Sequence, residues 1–173
     1  LDVEIAACQA NYKLGKLQEK DLNQIRNNAN FKSERIKEIE KEVKHDVIAF
    51  LTNLNEYVGE SGRYIHVGMT SSDVLDTGLS LQLRDSCDLL IEEINKLEIT
   101  IRELARLHKN TIMIGRSHAI HGEPISFGFK LAGWLAEVLR NKERLISLKE
   151  SVSIGQISGA MGTYANTDPK VEE

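Results

Sequence analysis

Apolar residues recur along most of this chain every three or four positions, which is the spacing of one helix face. In the opening segment this stripe consists of Leu1, Ile5, Cys8 and Tyr12. Gly15 follows it, and glycine commonly ends a helix. Similar patterns predict a short helix over residues 19–29 and a longer one over residues 33–58. No alternation of Val, Ile or Thr bounded by turns occurs, so strands are not expected. The predicted fold class is all-α.

The most extended apolar pattern lies between residues 79 and 104 and has the spacing of a coiled-coil seam. Its members are Leu79, Leu83, Cys87, Leu90, Ile94, Leu97, Ile101 and Leu104. Residues 111–123 are expected to form a loop, and Pro124 is expected in the first turn of a last helix that runs to about residue 150. The apolar residues of that helix cover most of its circumference, so it needs three or four neighbouring helices. Further sequence or partner chains must supply them.

The irregular, glycine-containing stretch before Gly68 suggests a domain boundary. Residues 1–68 are predicted to form an N-terminal helical domain, and residues 69–173 the first part of a central long-helix bundle. The chain opens in helical register without methionine and closes on polar residues without a helix stop. These features are typical of a fragment.

Charge and composition narrow the class of partner. The 173 residues carry 22 basic and 26 acidic side chains, a net charge of −4, and the two signs are interleaved along the helices. This pattern argues against nucleic acid as a partner. No apolar run approaches the roughly 20 residues of a membrane span, and no leader segment is visible. We therefore expect a cytoplasmic protein with reduced core cysteines at Cys8 and Cys87.

Three polar clusters could carry chemistry, and the first is the group Thr70-Ser71-Ser72-Asp73. These hydroxyls stand at the start of a long helix, where free amide groups and the helix dipole favour an anion such as a carboxylate. Thr70 and Asp73 also have the three-residue spacing of a capping box. The two interpretations are compatible.

The second cluster is Lys44-His45-Asp46. If residues 33–58 form one helix, His45 lies on the side opposite the apolar stripe. It is then either a solvated histidine or a residue that faces a partner subunit. In the second case Lys44 would attract an anion and Asp46 would fix the imidazole tautomer.

The third cluster, residues 115–121, places two histidines, a hydroxyl and a guanidinium in the expected loop: Arg116, Ser117, His118 and His121. A histidine exchanges protons near neutral pH, so this set suits proton transfer beside a negative ligand. A metal site is less well supported, because two histidines give only two ligands. Alternatively, these polar groups only cap helix ends.

Four strings together resemble the adenylosuccinate lyases of the fumarase and aspartase superfamily. They are KHDV at 44–47, HVGMTSSDVLDT at 66–77, GRSHAIHGEP at 115–124 and SGAMGTYAN at 158–166. Any one of them would be weak evidence, but their order and separation are specific. The run at 115–124 favours this family over fumarase, argininosuccinate lyase and the carboxymuconate cycloisomerases.

The resemblance implies a helical bundle assembled as a homotetramer, with active sites that draw residues from three subunits. It also implies elimination of fumarate from adenylosuccinate and from the related succinyl-carboxamide ribotide, without metal or organic cofactor. By matching position, His118 would be the general acid. Lys44, His45 and Asp46 would contact the nucleotide, with His45 near its phosphate. The remaining matched residues would hold the succinyl carboxylates or orient the site, namely Thr70, Ser71, Ser117 and His66.

This chain departs from the family pattern at several points. Ser117 stands where the family usually has threonine, which keeps the hydroxyl. The family's mobile loop, Ser-Ser-x-Met-Pro-x-Lys-x-Asn-Pro, carries the catalytic base and is absent. The similar run at 158–161 lacks the proline and lysine, and the family's nucleotide-binding Arg-Tyr is absent too. We therefore expect these residues alone to be inactive. The alternatives are a helical oligomerisation module and a sister lyase that acts on another fumarate adduct.

Overall fold

The computed structural model describes residues 1–173 and is built mainly from helices, which confirms the predicted helical fold class. The six α-helices are α1 (Asp2–Lys13), α2 (Glu19–Asn28), α3 (Ser33–Val43), α4 (Asp46–Val58), α5 (Ser71–Leu107) and α6 (Phe127–Val152). Short 3-10 helices span Gly59–Tyr64 and Pro169–Val171. Two strands, β1 (Ile112–Ser117) and β2 (Ile120–Ser126), form an antiparallel pair between α5 and α6.

The chain divides into two compact units, and the first comprises Leu1–Ser80 together with Gly155–Glu173. Its core joins residues from α1, α2 and α4 with residues from the connecting segments: Cys8, Leu17, Leu22, Ile25, Leu54, Val58 and Ile65. Both cysteines of the chain are buried and free, as predicted. Burial, together with the nearby Glu4 carboxylate, raises the pKa of the Cys8 thiol to about 12. This thiol therefore stays protonated and unreactive at neutral pH.

The predicted single helix over residues 33–58 is wrong, because the structure breaks it at Lys44 and His45. Lys44 ends α3 in the left-handed conformation, with φ of 55°. His45 is extended and caps the start of α4. The apolar spacing continues across the break, which is why periodicity alone did not reveal it. Val43, which fits the apolar spacing predicted for this segment, is exposed beside the break.

The second unit comprises Leu81–Ile154. Within it, Glu98 of α5 accepts hydrogen bonds from Arg102 at 2.6 Å and from Lys142 of α6 at 3.0 Å. These bonds hold the pKa of the Glu98 carboxyl below its usual range. A Cβ atom on Gly128 would lie 2.5 Å from the Ala105 carbonyl oxygen, so a residue without a side chain lets α6 begin close against α5.

The segment expected to be a loop with a helical Pro124 is instead a β-hairpin. Pro124 lies in β2 opposite Ile114, and α6 begins at Phe127 with Ser126 as its N-cap. The register shifts between Ile114 and Arg116, which indicates a bulge. The strand signal is weak in the sequence because glycines and charged residues interrupt its apolar positions.

Much of the predicted seam on α5 is left uncovered within the chain. Cys87 and Ile101 are buried, whereas the leucines of the seam stay exposed: Leu79, Leu83, Leu90, Leu97 and Leu104. On α6, Phe129 and Trp134 are also exposed. None of the helices combines the length and apolar character needed to cross a membrane.

Candidate active site

The cluster at residues 44–46 lies at the start of α4 and is exposed to solvent. His45 occupies the N-cap position, where its Nδ1 accepts a hydrogen bond of 3.3 Å from the Ile48 amide. Asp46 turns its carboxylate to the Val47 amide at 2.7 Å. His45 is therefore exposed, as predicted, but it reaches solvent as a helix cap and not from a helix face.

The cap fixes the tautomer of the His45 ring. An amide N–H can only donate, so the Nδ1 that accepts it carries no proton, and in the neutral ring the proton sits on Nε2. The Asp46 carboxylate lies 3.4 Å from the same Nδ1, but it already accepts the shorter bond from Val47. The Ile48 amide, not Asp46, thus sets the tautomer. The outward Nε2–H can donate to an anion near the α4 amino terminus, where the helix dipole favours negative charge.

His66 is held by a buried carboxylate that sequence reasoning missed. Its ring Nδ1 lies 2.6 Å from Oε1 of Glu4, and its backbone amide donates to Oε2 of the same residue at 3.0 Å. The Glu4 side chain is 1% exposed, whereas the His66 side chain is 18% exposed. Glu4 belongs to the buried face of α1, and a charged residue in that face was the one available signal.

The group Thr70-Ser71-Ser72-Asp73 is at the start of α5, as predicted. The Thr70 amide donates to Oδ2 of Asp73 at 2.9 Å, which is one half of the predicted capping box. The other half is absent, since the Asp73 amide donates to the Thr70 backbone carbonyl at 3.1 Å. The Thr70 hydroxyl is therefore left out of the cap and can bind a ligand.

Asp73 also joins the start of α5 to the last of the four strings. Its buried carboxylate accepts hydrogen bonds from the Ser158 amide at 3.2 Å and the Gly159 amide at 3.0 Å. Gly68, with φ of 77°, packs so closely on residue 166 that a Cβ atom would lie 2.2 Å from the Asn166 carbonyl oxygen. The strings at 66–77 and 158–166 thus pack directly against each other.

Ser117 and His118 are at the tip of the hairpin in the second unit. His118 and Ala119 form its two-residue turn, and their φ values are 53° and 62°. Positive φ at both central positions is the geometry of a type I′ turn, which usually requires Gly or Asn. Such backbone strain is concentrated at functional sites. Ser117, His118 and His121 are all exposed.

Glycine is needed at the bulge that shapes this hairpin. A Cβ atom on Gly115 would lie 2.6 Å from the Glu123 carbonyl oxygen. The bulge changes the direction in which the residues beyond it point. The polar tip is therefore presented by a defined backbone and not by a loose loop.

Within the first unit, the structure gathers the candidate residues into two polar groups. Residues 44–46 form one of them. The other comprises His66 and the start of α5, because the Met69 amide donates to the His66 carbonyl and brings Thr70 next in the turn. Ser117 and His118 belong to the second unit. Glu4 and the second role of Asp73 are the additions that the structure makes.

Comparison with known proteins identifies relatives along the whole chain. A family model described as "Lyase" matches residues 3–173. The chain is 61% identical over 172 residues to adenylosuccinate lyase of Synechocystis sp., covering 99% of this chain and 40% of that protein. It is 49% identical to adenylosuccinate lyase of Aquifex aeolicus, covering 100% of this chain and 40% of that protein. The chain thus spans about 40% of the length of these curated relatives.

Solved structures of related enzymes share the fold of this chain. Fumarate lyase from Mesorhizobium sp. BNC1 superposes with a TM-score of 0.88 at 32% identity, covering 99% of this chain and 42% of that one. The 3-carboxy-cis,cis-muconate lactonizing enzyme from Pseudomonas putida also gives 0.88, at 31% identity, covering 95% of this chain and 39% of that one. By its match to the family model over residues 3–173, this chain belongs to the lyase family.

Proposed function

We propose that this chain is the amino-terminal part of an adenylosuccinate lyase, which releases fumarate from adenylosuccinate to give AMP and from the succinyl-carboxamide ribotide of purine biosynthesis. The observation that carries the proposal is the 61% identity over 172 residues to a protein of that name. Residues 1–68 would form the N-terminal domain and residues 69–173 the start of the central bundle of a cytoplasmic enzyme.

The reaction is an elimination. A base removes a proton from the carbon beside the leaving carbon–nitrogen bond, that bond breaks, and the nitrogen takes a proton as fumarate forms. The base would belong to sequence outside these 173 residues. His118 would be the general acid that protonates the departing nitrogen, which is a task suited to imidazole at neutral pH.

The other clusters would bind and orient the substrate. Lys44 and the Nε2–H of His45 would bind the nucleotide phosphate at the amino terminus of α4. Asp46 would also contact the nucleotide. Thr70, Ser71 and Ser117 would donate hydrogen bonds to the succinyl carboxylates and stabilise the negative charge that builds up on one of them during proton removal. His66 would orient the site.

The exposed leucines of the α5 seam support assembly into a homo-oligomer, for which we propose a tetramer. Long helices with uncovered apolar stripes pack against other long helices. A two-stranded hairpin is marginal by itself in water, so contacts from a neighbouring copy would also stabilise the exposed tip that carries His118. The complete site would then combine residues from several subunits.

The test is fumarate release by the full-length protein, measured on a panel of fumarate adducts. We expect turnover of adenylosuccinate and of the succinyl-carboxamide ribotide, and none of argininosuccinate. Turnover of a different adduct alone would identify a sister lyase instead. The isolated 173 residues should release no fumarate from any of these substrates, and measurable turnover would show that the base is not outside them.

A further inference from the structure

The Glu4 side chain is a buried carboxylate that the proposed chemistry does not use. It is 1% exposed, and its Oε1 lies 2.6 Å from Nδ1 of the His66 ring. Its other oxygen accepts the His66 amide at 3.0 Å. A carboxylate at this depth is costly unless its oxygens are satisfied. Glu4 and His66 therefore bind each other across 62 positions of sequence.

The two hydrogen bonds fix both the backbone and the ring of His66. The residue has φ of 66°, in the left-handed region that non-glycine residues seldom occupy. The hydrogen bond from the His66 backbone amide to Oε2 holds this conformation. The hydrogen bond between Nδ1 and Oε1 sets the direction of the imidazole ring. The His66 side chain is 18% exposed, and the residue lies shortly before Ser71, where α5 begins.

The carboxylate also restricts the protonation states of the ring. A carboxylate only accepts hydrogen bonds, so Nδ1 must carry a proton. The neutral ring with its proton on Nε2 is thereby excluded. This is the opposite of His45, whose Nδ1 accepts a bond from the Ile48 amide. Both histidines thus leave Nε2 free for a ligand, but in the neutral rings it is a donor in His45, whose Nδ1 accepts from an amide, and an acceptor in His66, whose Nδ1 donates to a carboxylate.

We propose that Glu4 is a positioning residue of the lyase site, and that it acts by holding the His66 ring in the form with a proton on Nδ1. The inference rests on the proposed function, since it names the residue through which His66 orients that site. Glu4 touches no reacting atom in this scheme. In many proteins a carboxylate hydrogen-bonded to one nitrogen of a metal-bound or catalytic histidine fixes the orientation and tautomer of the ring, and Glu4 would act in the same way.

Replacing Glu4 with Gln separates this role from simple burial. The amide keeps the size of the side chain, and its oxygen can still accept from the His66 backbone. Its NH₂ group would then face Nδ1, which must become an acceptor, so the proton of the neutral ring moves to Nε2. In the full-length protein we expect Glu4→Gln to lower kcat/KM by roughly 10- to 100-fold, as loss of such a partner typically does. Folding should be nearly unaffected.

A double-mutant cycle with His66→Asn shows whether the effect passes through the ring. Asn tolerates the left-handed backbone at position 66. If Glu4 acts through His66, adding Glu4→Gln to His66→Asn should change kcat/KM by less than about twofold, because coupled residues are not additive. Asp21→Asn is the matched control, since Asp21 is another buried carboxylate of the first unit and bonds the Ser61 hydroxyl at 2.8 Å. It should leave kcat/KM unchanged.

Wild-type kcat/KM in Glu4→Gln, or full additivity with His66→Asn, would overturn the inference while leaving the proposed function intact. Absence of fumarate release by the unmodified full-length protein would instead overturn the proposed function. If Glu4→Gln does not fold, Glu4→Asp replaces it. Asp keeps an acceptor that demands a proton on Nδ1, so we expect it to retain more activity than His66→Asn, and equal loss in the two would contradict the inference.

Discussion

Full-length protein with His118 replaced by Asn should lose kcat by roughly 10²- to 10⁴-fold, which is the contribution of a positioned general acid. Asn suits this test because it tolerates positive φ, and residue 118 has φ of 53°. The hairpin turn should therefore survive, and only the proposed proton donor is removed. The loss should appear in kcat more than in KM, because the proposed donor would act as the carbon–nitrogen bond breaks. Steady-state kinetics with adenylosuccinate measure both constants.

His121→Asn is the matched control for this prediction. His121 lies on the same exposed hairpin, opposite Arg116, and is the other histidine of the string at 115–124. We expect it to lose much less activity than His118→Asn. Equal losses would show that damage to the hairpin, not removal of the acid, explains the result. Unchanged activity in His118→Asn with intact assembly would favour the oligomerisation module.

Asp73→Ala should destabilise the protein by on the order of 3 to 5 kcal/mol. The substitution removes the acceptor of the Thr70, Ser158 and Gly159 amides. Each amide left without its charged partner costs about 1–3 kcal/mol, and the costs are not fully additive. Residues 158–166 should then detach from the start of α5. Thermal unfolding measures the loss, and limited proteolysis within 158–166 reports the detachment.

The control for this change is Asp76→Ala. Asp76 lies on the same helix and has the same charge, but it is exposed. Its replacement should leave the unfolding temperature and the protease pattern unchanged. If Asp73→Ala unfolds at the same temperature as the wild type, the carboxylate does not hold residues 66–77 and 158–166 together. The described role of Asp73 is then wrong.

Long periodic segments were predictable from the sequence, and breaks in the backbone were not. The start of α5 after Thr70 follows from a hydroxyl cluster followed by a sustained apolar seam, and the structure has it there. The interruption at Lys44 and His45 was missed because the apolar spacing continues through it. The N-cap residue that begins α4 is a histidine, which is not among the residues that usually mark a helix start.

The hairpin was missed for a related reason. Its turn is formed by His118 and Ala119, neither of which prefers positive φ. Tertiary context must impose that conformation, so local propensity cannot predict it. Its strands also lack the alternation that normally signals a half-buried sheet.

Polar residues were likewise predictable where they are neighbours in the sequence and unpredictable where their contacts are long-range. Clusters that are contiguous in sequence, such as residues 44–46 and 70–73, were recognisable as candidate sites from their side chains alone. Glu4 was not, because its partner His66 lies 62 positions away and a glutamate on a helix normally reads as solvated. The second role of Asp73 depends likewise on Ser158, which is 85 positions away. Long-range contacts of this kind follow only from the packed fold.

The central claim is that separate polar clusters from neighbouring copies form one pocket, and subunit complementation tests it most directly. Two full-length variants, His45→Asn and His118→Asn, are each expected to lose most of their activity. Asn is a good N-cap, so α4 should persist in the first. When the two variants are dissociated, mixed and reassembled, some mixed sites would combine an intact His45 from one copy with an intact His118 from another. We predict that fumarate release returns in the mixture. No recovery, in mixed assemblies verified by native mass spectrometry, would contradict the account.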